Sequence, residues 1–440
     1  LVVLVDPLAP LEAGFWLSFL AVGSIWWIAA GRLESAAGWR QALVIQGAVT
    51  LGLVPMLFLL FGQASLIAPL VNLIMVPWFS LVLVPLLLLG LPLLIWPDAA
   101  TLWFAGLGHL ADLSLGLLEG CAALSWAAVS MPQAGLWVWL LALMGVLLGL
   151  LPRGVPGRWM GLWMCLPVLV VQPERPVPGG FWLTLLDVGQ GLACVVETRN
   201  HVLLYDTGPG AANGYSAAAA VIEPYLLSRG RSRIDRLILS NGDQDHAGGA
   251  TFLKSALAVL STLSGESARV GDAEACESGL QWDWDGVSFR ILHPAPGDRF
   301  NDSNNRSCVL QVESGGHRVL LPGDVEKDAE QRLVARYPDS LQSQILIASH
   351  HGSAGASSPA WVEAVQPDWV LFSTGYRNSY GFPRASVVDR WRAQGAATLN
   401  TADCGSIRFR VEPGTALEPP RRHCVEEKHY WQNCTVSENR

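Results

Sequence analysis

The N-terminal part of this chain contains a long stretch without any positive charge. No lysine or arginine occurs from residue 41 to residue 152. The same stretch holds four long apolar runs, which are Gln41–Phe61, Leu66–Ile95, Thr101–Leu118 and Leu136–Leu151. Each run is long enough to cross the hydrocarbon core of a bilayer, which is about 30 Å thick. Helices in the core of a soluble protein usually have one charged face, and these runs have none. The pattern therefore predicts a membrane region rather than a large buried helical core.

Two further apolar runs, Ala13–Ala30 and the shorter Arg158–Val171, bring the expected number of membrane helices to about six. Prolines interrupt the middle runs at Pro55, Pro69, Pro77, Pro85 and Pro92. Proline removes a backbone donor and crowds the preceding turn, so we expect kinked or broken helices that line a path rather than simple anchors. The pattern leaves open whether Leu66–Ile95 crosses the membrane once or is re-entrant.

The few arginines predict how this region is oriented. Arg32 with Arg40, and Arg153 with Arg158, flank two loops that the positive-inside tendency assigns to the cytoplasm. Four crossings between those loops satisfy both assignments, and one further crossing after Arg158 puts the rest of the chain on the outer side. The sequence begins at Leu1 without a basic leader or a cleavage-site pattern, which favours a fragment whose N-terminal part is missing.

The composition changes at a segment rich in proline and glycine, residues 172–180. After it, strand-like runs alternate with helical patterns over about 240 residues, which predicts one α/β domain. We therefore expect four parts: a membrane region at 1–171, a linker at 172–180, an α/β domain at 181–415 and a tail at 416–440.

The clearest chemical signal in the second domain is the loop Ser240–His246, with the sequence SNGDQDH. Asp243, Asp245 and His246 follow the apolar run Ile234–Leu239, so their side chains lie at the end of a predicted strand. Carboxylates and an imidazole in one such loop are typical of a hydrolase that holds a phosphate or carbonyl between two metal ions.

Other segments also place polar side chains next to strand-like runs. They provide candidates for the rest of the site: Asp324, the pair His350 and His351, and the group Asn304, Asn305 and Ser307. Asp324 and the asparagines are also common turn residues. Two adjacent histidines after an apolar strand favour metal binding more strongly, although one of them could merely orient the other.

The order of these residues resembles that of metallo-β-lactamase-fold hydrolases, with Asp206 closing a strand before the SNGDQDH loop. The segments Leu186-Asp187-Val188-Gly189-Gln190-Gly191 and His350-His351-Gly352-Ser353 are similar to those of ComEC-type DNA-internalisation proteins. Upstream, Gly14–Leu20 and Asn72-Leu73 followed by Pro77 resemble the membrane competence region of that family. The resemblance spans nearly the whole chain. It implies a polytopic α-helical membrane region followed by an α/β (αββα) metallo-β-lactamase-like domain.

The same resemblance implies a function. The family is associated with an inner-membrane channel that takes up transforming DNA as a single strand in natural competence. Its C-terminal domain is proposed to be a two-metal DNA hydrolase that degrades the other strand. The implied partners are single-stranded DNA, the lipid bilayer and other competence proteins, such as a DNA receptor and a translocation motor. Two alternatives stay open: a catalytically inactive domain that only binds or gates DNA, and a small-solute transporter with a lactonase-like domain.

The resemblance also assigns roles to individual residues. The implied catalytic set is Asp243, Asp245, His246, Asp324, His350 and His351. Asp324 bridges two ions, and Asp245, His246 and one of the two histidines at 350 and 351 hold one of them. Asn241 and Asp243 hold the other ion, with Asn304 or Asn305 as a further candidate. Five residues are expected to support the site from outside the ligand set: Asp187, Asp206, Asn304, Asn305 and Ser307.

This sequence departs from the wider fold at two places. Asn241 and Asp243 stand where the wider fold has histidines, and Phe382 stands where many relatives carry a histidine. One half of the expected site is therefore rich in oxygen ligands and poor in imidazole. Such a set favours harder ions, so we expect two divalent cations, Mn²⁺ or Mg²⁺ in preference to Zn²⁺.

One dense basic stretch precedes the metal loop and contains Arg229, Arg231 and Arg233. It is a candidate contact for a DNA backbone, and a solvated helix end explains it equally well. The formal net charge of the chain is −8, so any attraction of a polyanion must be local.

The eight cysteines lack the short paired spacing of a zinc site. Cys121 and Cys165 lie in the apolar membrane runs. If the second domain faces an oxidising compartment, Cys424 and Cys434 are candidates for a disulfide, and free thiols are the alternative.

Overall fold

The computed structural model of the protein describes residues 2–30, 39–124, 126–152, 154–211 and 214–426. The chain divides into two compact units, residues 1–173 with 227–230, and residues 174–226 with 231–440. Arg32, Arg153 and Cys434, on which predictions above depend, lie outside the described residues.

The first unit is built mainly from apolar helices. Its described helical segments are Val2–Val5, Ala9–Leu11, Ala13–Ala30, Trp39–Phe61, Ala68–Trp78, Phe79–Leu83, Val84–Gly90, Leu91–Ile95, Pro97–Ala122, Leu136–Gly149 and Met160–Val170. One small antiparallel pair of strands, Gln63–Ser65 with Ala128–Ser130, joins the loops between them.

Within the described residues, three helical stretches are long and apolar enough to cross a membrane: Leu43–Phe61, Ala68–Ile95 and Pro97–Ala122. Three shorter apolar helices also occur in this unit: Ala13–Ile28, Leu136–Gly149 and Met160–Val170. The prediction that the run beginning at Leu136 is long enough to span was wrong, because its helix ends at Gly149. At a rise of 1.5 Å per residue, its 14 residues cover only about 21 Å.

The stretch Ala68–Ile95 is a continuous helical path whose pitch changes along its length. Ala68–Trp78 and Val84–Gly90 are α-helical, whereas Phe79–Leu83 forms a wider π-helical turn and Leu91–Ile95 a tighter 3₁₀ helix. Pro85 has no N–H for the carbonyl four residues earlier, and its ring crowds that carbonyl, which explains the widened turn before it. The prolines therefore distort this helix without ending it.

In the described part of the second unit, two large β-sheets face each other. The first has eight strands, in the order Glu274–Ala275, Thr262–Ser264, Arg236–Leu239, Val202–Tyr205, Cys194–Glu197, Phe181–Leu185, Ile407–Val411 and Arg421–Arg422. The second has seven, in the order Gln281–Trp284, Val287–His293, Val309–Ser314, His317–Leu321, Ile345–Ile347, Trp369–Phe372 and Ala397–Asn400. Arg233–Ile234 and Ala258–Val259 form a separate short pair.

The main core lies between the two sheets. Leu183 and Leu185 of the first sheet and Phe289 and Ile291 of the second belong to one buried apolar cluster. The two residues of each pair are two positions apart on the same strand, and alternate residues of a strand point to the same face of the sheet. The inner faces of the sheets therefore pack against each other and exclude water.

Helices cover the outer faces of both sheets. The described helices of this unit are Ala218–Ile222, Glu223–Ser228, Gln244–Ala247, Ala250–Ala256, Ser267–Val270, Asn304–Arg306, Lys327–Arg336, Ser349–Gly352, Pro359–Val365, Ala385–Ala393, Thr401–Cys404 and His423–Glu426. Trp361 and Trp391 are fully buried in a second apolar cluster on the second sheet. On the first sheet, the Tyr225 hydroxyl lies 3.0 Å from the Thr184 hydroxyl. The arrangement is αββα, which confirms the predicted fold class.

Parallel strands determine where the loops of interest meet. Val202–Tyr205 runs parallel to Arg236–Leu239 in the first sheet. In the second sheet, His317–Leu321, Ile345–Ile347 and Trp369–Phe372 are also parallel to one another. Parallel strands end at the same edge of a sheet, so the loops after these five strands gather at one end of the domain.

A disulfide between Cys276 and Cys308 connects the two sheets. Cys276 follows a strand of the first sheet, and Cys308 precedes Val309–Ser314 of the second. The sequence patterns did not predict this pair. Cys424 is also disulfide-bonded, and its expected partner Cys434 lies outside the described residues.

Candidate metal centre

Four side chains from three loops converge at this end of the domain. Among the described residues, Asp245, His246, Asp324 and His351 each offer one ligand atom, and these atoms all lie within 4.8 Å of one another. All four belong to the set expected from the sequence. The choice between His350 and His351 was open, and the structure places His351 in this group.

The imidazole of His246 is held by a buried carboxylate. Its Nδ1 lies 2.8 Å from Oδ2 of Asp206, and its Nε2 lies 2.9 Å from Oδ2 of Asp324. Asp206 also accepts hydrogen bonds from the backbone N–H of Ser240 at 2.6 Å and from its hydroxyl at 2.7 Å. Donation from Nδ1 to Asp206 leaves the lone pair on Nε2 facing the group, as a metal ligand requires.

His351 is oriented in the same way by a different acceptor. Its Nδ1 donates to the backbone carbonyl of Ser373 at 2.9 Å. Its Nε2 lies 3.4 Å from Oδ2 of Asp245 and 3.6 Å from Oδ1 of Asp324. The two imidazoles therefore present the same nitrogen to the centre of the group.

The group contains buried polar atoms that make no hydrogen bond within the described part of the chain. These atoms are Nε2 of His351 and Oδ1 of Asp324, while Nε2 of His246 has the Asp324 carboxylate as its partner. Buried polar atoms are almost always satisfied, so two unsatisfied atoms in one place indicate a ligand. Two imidazoles and two carboxylates are suitable ligands for a divalent metal ion, so these residues fit a divalent cation.

The electrostatics of the group also favour a bound cation. Burial alone would lower the pKa of His246, but Asp324 and Asp206 outweigh it and hold that pKa well above its usual value. Burial would raise the pKa of Asp324, but His246 and His351 outweigh it and hold that pKa well below its usual value. The Asp324 carboxylate is therefore ionised at neutral pH, and a metal ion would replace the proton on His246.

Glycines let the neighbouring loops approach the group closely. A Cβ atom on Gly191 would lie 2.5 Å from the backbone oxygen of Asp245, which also accepts a hydrogen bond from the N–H of Leu192 at 3.1 Å. Gly323 has a φ of 62°, and a Cβ there would lie 2.7 Å from Cβ of Ser240. The glycine-rich loop after Leu186 thus supports the metal loop, and Gly323 brings Asp324 next to it.

Asp243 is not part of the four-residue group, and both Asp243 and Asn241 contact other protein groups. Oδ1 of Asn241 accepts a hydrogen bond from the N–H of Asp243 at 2.9 Å, and its Nδ2 donates to the Ser307 hydroxyl at 3.3 Å. Oδ1 of Asp243 accepts a hydrogen bond from the Arg269 guanidinium at 2.7 Å. The two residues expected at a second ion are therefore engaged with protein partners.

Arg269 was not singled out from the sequence. The same nitrogen that contacts Asp243 lies 3.2 Å from Oε2 of Glu266 and 3.0 Å from the Ser303 hydroxyl. A Cβ atom on Gly242 would lie 2.6 Å from Cδ of Arg269, so the glycine makes room for this side chain. Arg269 and Asp243 are 26 residues apart in the sequence, so no local pattern predicts their contact.

His350 lies beside the group and pairs with an acidic residue. Its Nδ1 lies 2.9 Å from Oε1 of Glu326, and its Nε2 lies 3.8 Å from Oδ2 of Asp324. The side chain is 20% exposed, whereas that of His351 is 3% exposed. Glu326 was missed in the sequence, although its position two residues after Asp324 could have drawn attention to it.

The residues expected to support the site differ in what they contact. The Ser307 hydroxyl accepts hydrogen bonds from Asn241 and from the N–H of Asp324, so it links the two loops. Oδ1 of Asn305 accepts hydrogen bonds from the N–H groups of Glu326 and Ala329 at the start of the helix Lys327–Arg336. Asn305 therefore caps that helix.

The other two predicted supporting residues also lie outside the group. The carboxylate of Asp187 accepts a hydrogen bond from the N–H of Gly189 at 3.2 Å and so stabilises the glycine-rich loop. Asn304 begins a short 3₁₀ helix, and its backbone oxygen accepts a hydrogen bond from the N–H of Ser307.

The arginines before the metal loop occupy different environments. Arg231 is buried, with Nε 3.2 Å from Oε1 of Glu197, so the structure does not support a DNA contact by this residue. Arg233 is half-exposed and lies 2.8 Å from Oδ1 of Asp235. Arg229 belongs to the segment 227–230 that groups with the first unit.

Comparisons with known proteins agree with this architecture. Residues 1–156 match the Competence protein family, and residues 186–369 match the Metallo-beta-lactamase superfamily. The chain is 37% identical to Competence protein ComA of Neisseria gonorrhoeae over 433 residues, which cover 98% of this chain and 60% of that protein.

Two other relatives are each 31% identical to this chain and match 92% of it. They are the uncharacterized protein YcaI of Escherichia coli and Recombination protein 2 of Haemophilus influenzae, of which 54% and 56% are covered. The chain thus spans little more than half the length of the relatives that it matches. It therefore combines a transmembrane region that matches the Competence protein family, residues 1–156, with a domain of the Metallo-beta-lactamase superfamily, residues 186–369.

Proposed function

We propose that this protein takes up single-stranded DNA through the inner membrane in natural competence, and that its C-terminal domain is a metal-dependent DNA hydrolase. The observation that carries the proposal is the convergence of Asp245, His246, Asp324 and His351 in a chain that begins with a competence region. The names of two similar proteins, Competence protein ComA and Recombination protein 2, refer to competence and recombination, which supports DNA as the substrate.

The chemistry follows from what hydrolysis of a phosphodiester requires. A bound divalent cation lowers the pKa of a water and neutralises charge on the phosphate. Asp245, His246, Asp324 and His351 would hold that ion, and Asp206 and the Ser373 carbonyl keep the two imidazoles in the correct tautomer. Asp243 and Asn241 remain the candidates for a second ion, which would have to compete with Arg269 for Asp243.

The expected metal remains Mn²⁺ or Mg²⁺ in preference to Zn²⁺. The four-residue group supplies two carboxylates and two imidazoles, and the second position offers oxygen ligands only. Measuring which ions support hydrolysis tests this preference directly. Activity with Zn²⁺ and none with Mn²⁺ would contradict it.

The outer side of the membrane is the proposed location of the C-terminal domain. The Cys276–Cys308 disulfide supports this placement, since structural disulfides persist in oxidising compartments and are rare in the cytosol. Labelling of a single cysteine or protease tag in intact cells would test it, and labelling only after the inner membrane is permeabilised would contradict it.

Hydrolysis can be tested with the full chain in detergent micelles. Single-stranded and duplex DNA are incubated with Mn²⁺ and with wild-type protein, Asp324→Ala or Asp245→Ala. Asp283→Ala is the matched control, because it removes an exposed carboxylate from the edge strand Gln281–Trp284. We expect the first two variants to lose at least about 100-fold in rate, and the control to match wild type. Equal activity of all four proteins would mean that the nuclease is a contaminant.

A DNA-binding domain without catalysis is the second candidate function. The contacts of Asp243 with Arg269 and of Asn241 with Ser307 favour it, because they occupy the ligands expected at the second ion. In that case wild-type protein would bind DNA and fail to hydrolyse it with any divalent ion. Uptake of labelled DNA in cells, compared with uptake of labelled small solutes, tests the channel function independently of hydrolysis.

A further inference from the structure

We propose that the loop Thr374–Arg384 is a base-stacking surface for single-stranded DNA, with Tyr380 as the residue that receives a base. This inference rests on the proposed function, because it assigns part of the substrate contact to a surface next to the metal group. The loop follows the strand Trp369–Phe372, at the same end of the domain as the metal ligands.

A row of aromatic rings leads from solvent to the metal group. The rings of Tyr380 and Phe382 are stacked, with centroids 5.6 Å apart and an angle of 20° between their planes. Phe382 in turn meets the imidazole of His350 edge-on, with centroids 5.8 Å apart. Nε2 of His350 lies 3.8 Å from Oδ2 of Asp324. Tyr380 is thus connected to the metal group through two intervening rings.

Tyr380 keeps a free surface although one face of its ring contacts Phe382. It is 58% exposed, and Tyr376 in the same loop is 73% exposed. An exposed aromatic ring offers a flat π-face on which another ring can stack. A flat nucleobase matches the exposed ring in shape and chemistry, and base–aromatic stacking tolerates any base because every base has a π-face.

The charge of the loop suits a polyanion. Residues 374–386 include Arg377 and Arg384 and no aspartate or glutamate. The Arg384 guanidinium lies 5.7 Å from the centre of the Phe382 ring, and that of Arg377 lies 5.3 Å from the Tyr376 ring. Both arginines are exposed. Positive charge interleaved with stacking rings is the combination that binds the backbone and bases of a single strand.

The loop is held in shape before any ligand binds. The side chain of Asn378 donates to the backbone oxygens of Gly375 and Phe382 and accepts from the N–H of Phe382. The N–H of Arg384 donates to the backbone oxygen of Gly352, directly after the histidine pair, at 2.9 Å. The rings are therefore fixed relative to His350, and binding of a base requires little further ordering.

Single-stranded DNA is favoured over duplex DNA by this surface. In a duplex the faces of the bases are already stacked on one another, whereas an unpaired strand can turn a base onto Tyr380. A base held there would hold the same strand beside the loop that leads to the metal group. The surface would then select the substrate by its unpaired bases, without reading their sequence.

The test measures binding in EDTA, where the metal-dependent reaction cannot occur. The full chain in detergent is titrated into fluorescently labelled oligothymidylate and into an abasic oligonucleotide of the same length and charge. We expect wild-type protein to bind oligothymidylate more tightly than the abasic strand. Tyr380→Ala should weaken binding of oligothymidylate by about 5- to 100-fold and leave binding of the abasic strand unchanged, whereas Tyr380→Phe should retain wild-type affinity.

A second measurement reports on stacking itself. An oligonucleotide with one 2-aminopurine should lose fluorescence on binding to wild-type protein and to Tyr380→Phe, and should keep it on binding to Tyr380→Ala. Equal affinity of wild-type protein for the two strands, or Tyr380→Ala that binds and quenches like wild type, would overturn the proposal. Because neither readout needs hydrolysis, a protein that stacks bases and cleaves nothing would contradict only the hydrolase function.

Discussion

Nδ1 of His246 lies 2.8 Å from Oδ2 of Asp206, and both side chains are fully buried. Asp206 follows one strand of the first sheet, and His246 belongs to the loop after the neighbouring parallel strand. The carboxylate therefore acts across two adjacent loops to fix which imidazole nitrogen faces Asp324. Partners of this kind orient a metal ligand and raise its basicity.

Asp206→Asn is expected to weaken metal binding by about 10- to 100-fold, because an amide orients the imidazole less strongly than a carboxylate does. Asparagine suits this position, since Asp206 has a φ of 61° and asparagine tolerates that conformation. Titration of Mn²⁺ followed by electron paramagnetic resonance measures the affinity. Asp283→Asn is the control, and equal affinity of both variants would refute the orienting role of Asp206.

Arg269→Met is expected to strengthen the binding of a second Mn²⁺ ion by about 5-fold, which corresponds to the loss of an ion pair worth about 1 kcal/mol. The reason is that the guanidinium donates to Oδ1 of Asp243 at 2.7 Å and so competes with a cation for this carboxylate. Arg306→Met is the matched control, because Arg306 pairs with Glu266 at 3.4 Å and, within the described residues, forms no ion pair with Asp243. A second ion that binds both variants equally would argue against competition.

Local sequence patterns predict the membrane helices, the α/β character of the second domain and the candidate metal ligands, whereas the αββα arrangement was implied by the family resemblance. Long apolar runs without charge predict membrane helices, and alternating apolar runs followed by Asp243, Asp245, His246, Asp324 and the histidine pair predict strand ends with ligands. Parallel strands then bring those ends together, as the group within 4.8 Å illustrates. None of this requires knowledge of which side chain touches which.

What the sequence did not predict depends on contacts between distant residues. Arg269 contacts Asp243, which lies 26 residues away in the sequence, and Cys276 forms a disulfide with Cys308, which lies 32 residues away. Arg231 lies in a dense basic stretch, yet a turn buries it against Glu197. Helix ends were also difficult, since the run beginning at Leu136 continues in an apolar sequence past the last helical residue, Gly149. Only tertiary packing decides these features.

Replacing both Cys276 and Cys308 by serine is expected to lower the free energy of unfolding of the C-terminal domain by about 3–4 kcal/mol. The disulfide closes a loop with a sequence separation of 32 residues, and a loop of this size restricts the unfolded chain by about that amount. Denaturant unfolding without reductant measures the loss. A double variant as stable as wild type would show that the bond contributes no net stability.

The same pair of substitutions should also weaken the metal group. The backbone N–H of Cys308 donates to the oxygen of Ser240, and the preceding Ser307 contacts both Asn241 and the N–H of Asp324. Release of the disulfide would loosen this link between the two loops. We expect weaker Mn²⁺ binding in the double variant than in Cys404→Ser, which removes a free thiol. Equal binding would confine the disulfide to a role in stability.

Asp298 should make part of the domain's stability dependent on pH. Burial opposes its ionisation, but Arg336, the N–H of Ala295 and Arg332 outweigh it and lower the pKa of Asp298 to about 2. Arg332 and Arg336 lie 3.1 and 3.2 Å from its oxygens. Because the folded pKa lies below the unfolded value of about 3.9, the contribution is complete above about pH 5 and is lost as the pH falls through about 2.

Asp298→Asn is therefore expected to unfold with about 1–2 kcal/mol less free energy than wild type at pH 6, and with a shrinking difference between about pH 5 and 2. Denaturant unfolding of both proteins at pH 6, 4 and 2.5 measures the difference. Asp283→Asn, on an exposed edge strand, should unfold like wild type at each pH. A difference between Asp298→Asn and wild type that stays constant down to pH 2 would mean that the two arginines stabilise the fold through packing of their side chains rather than through the ionised carboxylate.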